Sequence, residues 1–237
     1  MNWREIKTNV EGTSFYVNGS PIWEGRFQKV MSFHEPGLAP VLDETGWYHI
    51  DENAEPVYET RYLQTYGYYG MIASVLTTDG WTHIGILGHR LHVKFYEWSG
   101  NFQEGLCVVK TDDRYHHVNS SGSAAYDQTF SYAGDFRDGI ACVQDESGWF
   151  HIDKLGKRLY DRSFDFVNVF HKGYALAKDE DGWFHIDKNG QSLYDERFDY
   201  LEPFYNGRAL YRTRSKFGVL GLEPEGNCLG HASVKLH

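Results

Sequence analysis

The sequence predicts an all-β fold: about six repeats of 34 residues, with a half-repeat ahead of them. Three observations predict it. First, "GWFHIDKLGKRLYDRSF" (148–164) returns as "GWFHIDKNGQSLYDERF" (182–198), 34 residues later. Second, the apolar runs are only four to seven residues long, rich in aromatic and β-branched side chains, and closed by Gly, Asn or Asp. Third, no stretch sustains a 3.6-residue periodicity, which leaves little room for helices.

The step of 34 organises the chain into columns. Gly46, Gly80, Gly148 and Gly182 precede Trp47, Trp81, Trp149 and Trp183; Tyr115 and Phe217 stand in the weaker copies. Two residues beyond each aromatic runs His49, His83, His117, His151 and His185, beside Ile50, Ile84, Val118, Ile152, Ile186 and Leu220. Upstream lies a small-residue column, Ala39, Ala73, Cys107, Ala141, Ala175 and Ala209. Gly37, Gly105, Gly139, Gly173 and Gly207 sit two residues before it, with Met71 breaking the set. Tyr58, Tyr126, Tyr160 and Tyr194 form a further column in which His92 is the odd member. The repeats therefore span about 27–61, 62–95, 96–129, 130–163, 164–197 and 198–232, with the half-repeat at about 12–26. No linker or low-complexity segment interrupts them, which reads as one domain, 1–237.

Within the copy that opens at Phe164, each element has its reason. "FDFVNVF" is strand-like, "HKG" turns, "YALAK" is a second strand and "DEDG" a polar turn. "WFHID" is a third strand, "KNG" turns it back, and "SLYD" reads as a short fourth. Alternation puts Trp183, His185 and Asp187 on one face and Phe184 and Ile186 on the other. Both faces carry large apolar groups, so each repeat needs a neighbour to bury them. Stacked neighbours with an extra half-repeat at the N-terminus favour an open, solenoid-like stack; a closed β-propeller or pinwheel is the alternative.

Composition narrows the function. A formal net charge of −10 disfavours phosphate-backbone binding, so no nucleic-acid partner is expected. The apolar runs are too short for a membrane span, and "MNWREIKTNV" lacks a signal-peptide core, so membrane insertion is not expected. Cys107, Cys142 and Cys228 form no C-x-x-C pair and read as reduced thiols, which fits a cytoplasmic protein.

Gly-Trp, then an aromatic or His, then Ile-Asp-x-x-Gly, preceded by "F-x-x-G-x-A", resembles the WG repeat family of bacterial β-repeat proteins. The resemblance spans nearly the whole chain. It is strongest in the copies that end at Asp51, Asp153 and Asp187, and weaker around Arg114 and Lys216. Here Trp is followed by x-His-Ile rather than by Gly. The resemblance implies a β-rich repeat array without shared catalytic residues.

The His column is the most tempting chemical feature, because imidazole is a common metal ligand. A metal or catalytic site needs only one constellation, however. Repetition of the same His in every copy instead implies that each bonds a turn or backbone group within its own repeat. The Trp and Tyr columns read as core for the same reason. No nucleotide-binding, metalloprotease or nucleophile-elbow motif occurs, so no catalytic residue, cofactor or metal is expected. Binding candidates are residues that depart from the repeat: Tyr66, Tyr68 and Tyr69 in "TYGYYG", His89 and His92 in "HRLH", and His116 in "DDRYHH". The expected function is a non-enzymatic module for a protein or peptide partner. The alternative is a lectin-like glycan binder using exposed aromatics.

Overall fold

The computed structural model describes residues 2–222 and 234–236; Cys228 lies outside them. The described residues are all-β apart from one short turn of 3-10 helix, Trp3–Glu5. The strands form seven antiparallel sheets, six of three strands and the last of four. The chain divides into two compact units, Met1–Ala125 and Tyr126–His237.

The first unit holds four sheets. Ahead of the repeats, Phe15–Val17 and Ser20–Ile22 pair as the half-repeat implies, and Lys7–Thr8 joins them to complete three strands. The next three sheets consist of Lys29–Val30, Ala39–Asp43 and Gly46–Ile50; Gln64–Thr65, Ile72–Thr77 and Gly80–Gly85; and Trp98–Gln103, Leu106–Thr111 and Arg114–Val118. The second unit repeats the pattern with Tyr132–Ala133, Ile140–Asp145 and Gly148–Asp153, then Phe166–Val167, Ala175–Asp179 and Gly182–Ile186. Its last sheet runs Tyr200–Leu201, Arg208–Arg212, Phe217–Leu222 and Val234–Leu236.

Register explains the small-residue column. Ala175 lies opposite Ile186 and Ala177 opposite Phe184; Ala39 lies opposite Ile50 and Ala141 opposite Ile152. All of these side chains are buried, so a small residue on the middle strand makes room for a large one on the third. The Gly before each Trp has a separate cause. At Gly182 φ is +137°, and a Cβ there would stand 2.7 Å from the Phe198 carbonyl oxygen of the returning chain. The two main chains cross at that point, with Trp183 N–H donating to the Phe198 carbonyl at 2.8 Å.

The returning "SLYD" segment is not a fourth strand. It touches the third strand at two isolated bridges, Ile186 with Ser192 and Trp183 with Phe198, and bows away between them. The bow brings the Tyr194 hydroxyl back under the sheet. A second difference concerns the Trp column. Trp81, with the Tyr66 ring stacked on it, is buried, but Trp47, Trp149 and Trp183, second in their strands like Trp81, are only partly so.

A cation seals the core edge in three repeats. The Arg197 guanidinium lies 3.6 Å from the Phe184 ring centre and 3.1 Å from the Asp179 carboxylate. Arg158 covers Phe150 at 3.5 Å and meets Asp145 at 3.4 Å; Arg61 covers Tyr48 at 3.7 Å. In the second and third repeats that aromatic position holds Thr82 and His116.

Candidate functional site: a latched frame and a variable rim

His49, His151 and His185 are each locked from two sides. His185 lies opposite Leu176 in the sheet and is buried. Its Nδ1 is 2.6 Å from the Tyr194 hydroxyl and its Nε2 2.9 Å from the Glu202 carbonyl oxygen. His151 repeats the geometry with Tyr160 at 2.5 Å and the Asn168 carbonyl at 2.8 Å. His49 does so with Tyr58 and with the Tyr66 carbonyl at 2.8 Å. A carbonyl can only accept, so Nε2 carries the proton and Nδ1 accepts from the tyrosine. The tyrosine belongs to the same repeat, but the carbonyl belongs to the next. These three histidines therefore tie neighbouring repeats together, which corrects the expectation of bonds confined to one repeat.

Burial favours the neutral ring. It lowers the pKa of His49, His151 and His185 to about 4, against which the carbonyl bond works only partly. Burial likewise pushes the partner hydroxyls of Tyr58, Tyr160 and Tyr194 well above their ordinary value. Every polar atom of the latch is satisfied in the neutral state. Among the described residues no group of three or more His, Cys, Asp or Glu side chains is placed to hold a metal ion.

The second repeat varies the latch. His92 replaces the tyrosine and stands 2.8 Å from His83 Nδ1. His83 Nε2 meets the Ser99 hydroxyl at 2.9 Å, and Ser74 Oγ is 3.2 Å from Ser99 Oγ. A register shift between Ser99 and Phe102 brings that hydroxyl into line. His83, Ser74 and Ser99 are fully buried, and burial and then the neighbouring His92 lower the His83 pKa to about 3. This serine–imidazole chain is shut away from any substrate.

Variation concentrates at the first hairpin of each repeat. From the second repeat to the sixth its two tip residues both take positive φ, as in Lys172 (51°) and Gly173 (91°), or Asn206 (50°) and Gly207 (73°). Met71 keeps the turn at φ 66° after Gly70 at 58°, so the exception in the glycine column is conformationally no exception. The residue before the tip changes from each copy to the next: Tyr69, Gln103, Arg137, His171, Tyr205. The residue after it reads Ile72, Leu106, Ile140, Tyr174, Arg208. The columns behind these positions hardly change.

In the second unit two such tips flank a groove of about 470 Å³. Leu176, Phe204 and His185 line its base; Val169, Tyr174, Pro203 and Tyr205 form its walls, with Asn168 and His171 at the edge. Tyr205 is 76% exposed. The main chain at both tips is already paired: His171 with Tyr174 (2.8 Å) and Tyr205 with Arg208 (2.8 Å). The tip main chain is therefore not open to strand addition.

The sequence candidates divide between these places. Tyr69 occupies the rim position of its repeat, its ring 4.8 Å from His34. Tyr66 is half-buried and stacks on Trp81 at 4.9 Å. Tyr68 is 1% exposed, with its hydroxyl 3.1 Å from the Gly85 carbonyl and its ring 4.4 Å from His49. It belongs to a column with Phe102, Phe136, Phe170 and Phe204; of these Phe102 is 4.9 Å from His83, Phe170 4.4 Å from His151 and Phe204 4.0 Å from His185. Tyr68 is thus a core residue that the repeat requires, and the step of 34 would have revealed it. His92 serves the latch. His116 fills a core aromatic position with Nδ1 buried and unpartnered, and His89 is exposed on the return segment. The rim residues His171, Tyr174 and Tyr205 were missed because their turns have ordinary length and ordinary glycines.

A model of the WG containing repeat matches residues 184–217, one full step of the array. The chain thus carries the repeat its columns resemble. No curated protein matches it. Among solved structures it is similar to Hsv2 from Kluyveromyces lactis, with 9% identity, a TM-score of 0.53, and coverage of 98% of this chain and 93% of that one. It is also similar to a eukaryotic initiation factor, with 9% identity, a TM-score of 0.58, and coverage of 91% and 70%. Both neighbours are propeller-like, and at these identities the likeness concerns fold alone.

Proposed function

We propose that the chain is a non-enzymatic binding module whose hairpin rim takes a protein or peptide partner. One observation carries this reading: rim side chains change between adjacent repeats, while the His, Tyr, Ala and Ile columns behind them change only at His92, Cys107, Val118 and Leu220. A frame that repeats and an edge that varies is the division of labour of a binding scaffold. The groove between the tips at Lys172–Gly173 and Asn206–Gly207 offers an apolar base and aromatic walls, a setting suited to an apolar side chain of a peptide. A glycan is the second reading, favoured by the exposed Tyr205 ring with Asn168 and His171 nearby. We also propose that the repeats join as nearest neighbours in an open array; the propeller-like neighbours, and the strand Lys7–Thr8 that completes the half-repeat to three strands, support a closed ring as the second reading.

Peptide selection and a glycan array on the same protein test the binding reading. Peptide capture that weakens at least tenfold in Tyr205→Ala supports it. Glycan capture with the same sensitivity transfers the site to the second reading. Capture of neither sinks both.

A further inference from the structure

The return segment of the second repeat, 85–94, differs from its counterparts in a concerted way. Ile86, Leu87, Leu91 and Val93 are 39%, 63%, 39% and 80% exposed. The tip of the turn is fixed by Gly85 N–H donating to the His89 carbonyl at 3.0 Å and Gly88 N–H to the Gly85 carbonyl at 2.9 Å. Where this segment has Val93, the other copies have Glu59, Asp127, Asp161 and Asp195. The segment keeps Arg90 and Lys94 and holds no acid, in a chain of net charge −10.

Arg90 is the informative residue. Its counterpart one repeat pair later is Arg158, which covers the Phe150 ring and meets the Asp145 carboxylate. In the second repeat those two partners are Thr82 and Thr77. Arg90 has kept its cation and lost both the acid and the core ring. It lies 5.0 Å from the Phe95 ring, and no ion pair holds it or Lys94 among the described residues. The vacated partners are a carboxylate and a large apolar group, side by side. Four exposed aliphatic side chains occupy the same stretch.

We propose that this surface docks a partner polypeptide segment in which an Asp or Glu stands next to large aliphatic or aromatic residues. The partner supplies to Arg90 what Asp145 and Phe150 supply to Arg158. Its carboxylate meets the guanidinium while its apolar side chains cover Leu87, Leu91 and Val93. The site is separate from the hairpin groove, so either can fail without the other.

The test is an array of random twelve-residue peptides probed with the full chain, its Arg90→Glu and Leu87→Ser variants, and Tyr205→Ala. The expected result is a set of bound peptides enriched in Asp or Glu beside Leu, Ile or Phe. Their capture falls at least tenfold in Arg90→Glu and in Leu87→Ser and is unchanged in Tyr205→Ala. Both substituted side chains are exposed, and the unchanged melting temperature of each variant establishes that the fold is intact. Arg90→Lys, which keeps the charge but not the fork, retains part of the capture. Bound peptides without acidic enrichment, or capture indifferent to Arg90→Glu, overturn the proposal. So does binding to phosphatidylserine vesicles through Arg90 with no acidic peptide bound.

Discussion

Acid should unfold this protein through its histidine latches. His49, His151 and His185 have pKa values near 4 in the folded chain and His83 near 3, against an ordinary value of 6.5. The depression means that the unfolded chain takes up the proton first as pH falls. Stability from each ring is complete above pH 6.5 and drains away between 6.5 and the folded value. Between pH 7 and pH 5 each ring costs about 2 kcal/mol, and the four together about 7 kcal/mol. A domain is typically stable by about 5–15 kcal/mol, so the fold should approach its limit near pH 5. Urea melts at pH 7 and pH 5 read the loss directly. His185→Gln, which cannot titrate, should start less stable yet lose about 2 kcal/mol less over the same interval. A total loss under about 1 kcal/mol, or an identical loss in the variant, refutes the reasoning, since either result means the rings are not buried neutral in the folded state.

Three further outcomes follow from the packing. Met71→Gly should raise stability by about 0.5–1 kcal/mol, because Met71 holds φ at 66° on an exposed tip where glycine is unstrained; a melt showing a loss contradicts this. Arg197→Ala should cost about 1–2 kcal/mol through the ring contact with Phe184 and the pair with Asp179, and Arg197→Lys should recover little of it; full rescue by Lys reduces the interaction to charge alone. Deletion after Arg197 should leave a folded, less stable β protein if the array is open, as proposed, whereas a chain wholly unfolded at room temperature favours a closed ring.

Much of the fold is legible in the sequence because each repeat meets the same neighbours and so keeps the same residues. The Gly-Trp pair records a close main-chain approach, the Ala column a large side chain opposite, and the hairpin glycines a positive φ. The latch is half legible. His185 and Tyr194 appear as columns, but the Glu202 carbonyl that completes the latch has no side-chain signature. The "SLYD" run carries strand residues yet bridges at only two points, because its tyrosine must turn inward to the histidine. At the candidate site, looking for departures from the repeat picks out Tyr69, which lies beside a hairpin tip. The same criterion mistook Tyr68 for a free ring, since Tyr and Phe are interchangeable in that core column. It passed over His171 and Tyr205, whose variability is visible only when the five hairpin tips are set side by side.

The division between frame and rim is tested most directly by an alanine scan of Tyr69, Gln103, Arg137, His171 and Tyr205, with melting temperature and capture of selected peptides measured on the same samples. His151→Ala and His185→Ala serve as the frame counterparts. The account predicts that rim variants melt within a few degrees of the parent while one or more of them loses at least tenfold in capture. It predicts that the histidine variants lose about 3–5 kcal/mol, from two stranded polar partners and a vacated ring site. Rim variants that leave capture untouched, or that destabilise the fold as much as the histidine variants do, contradict it.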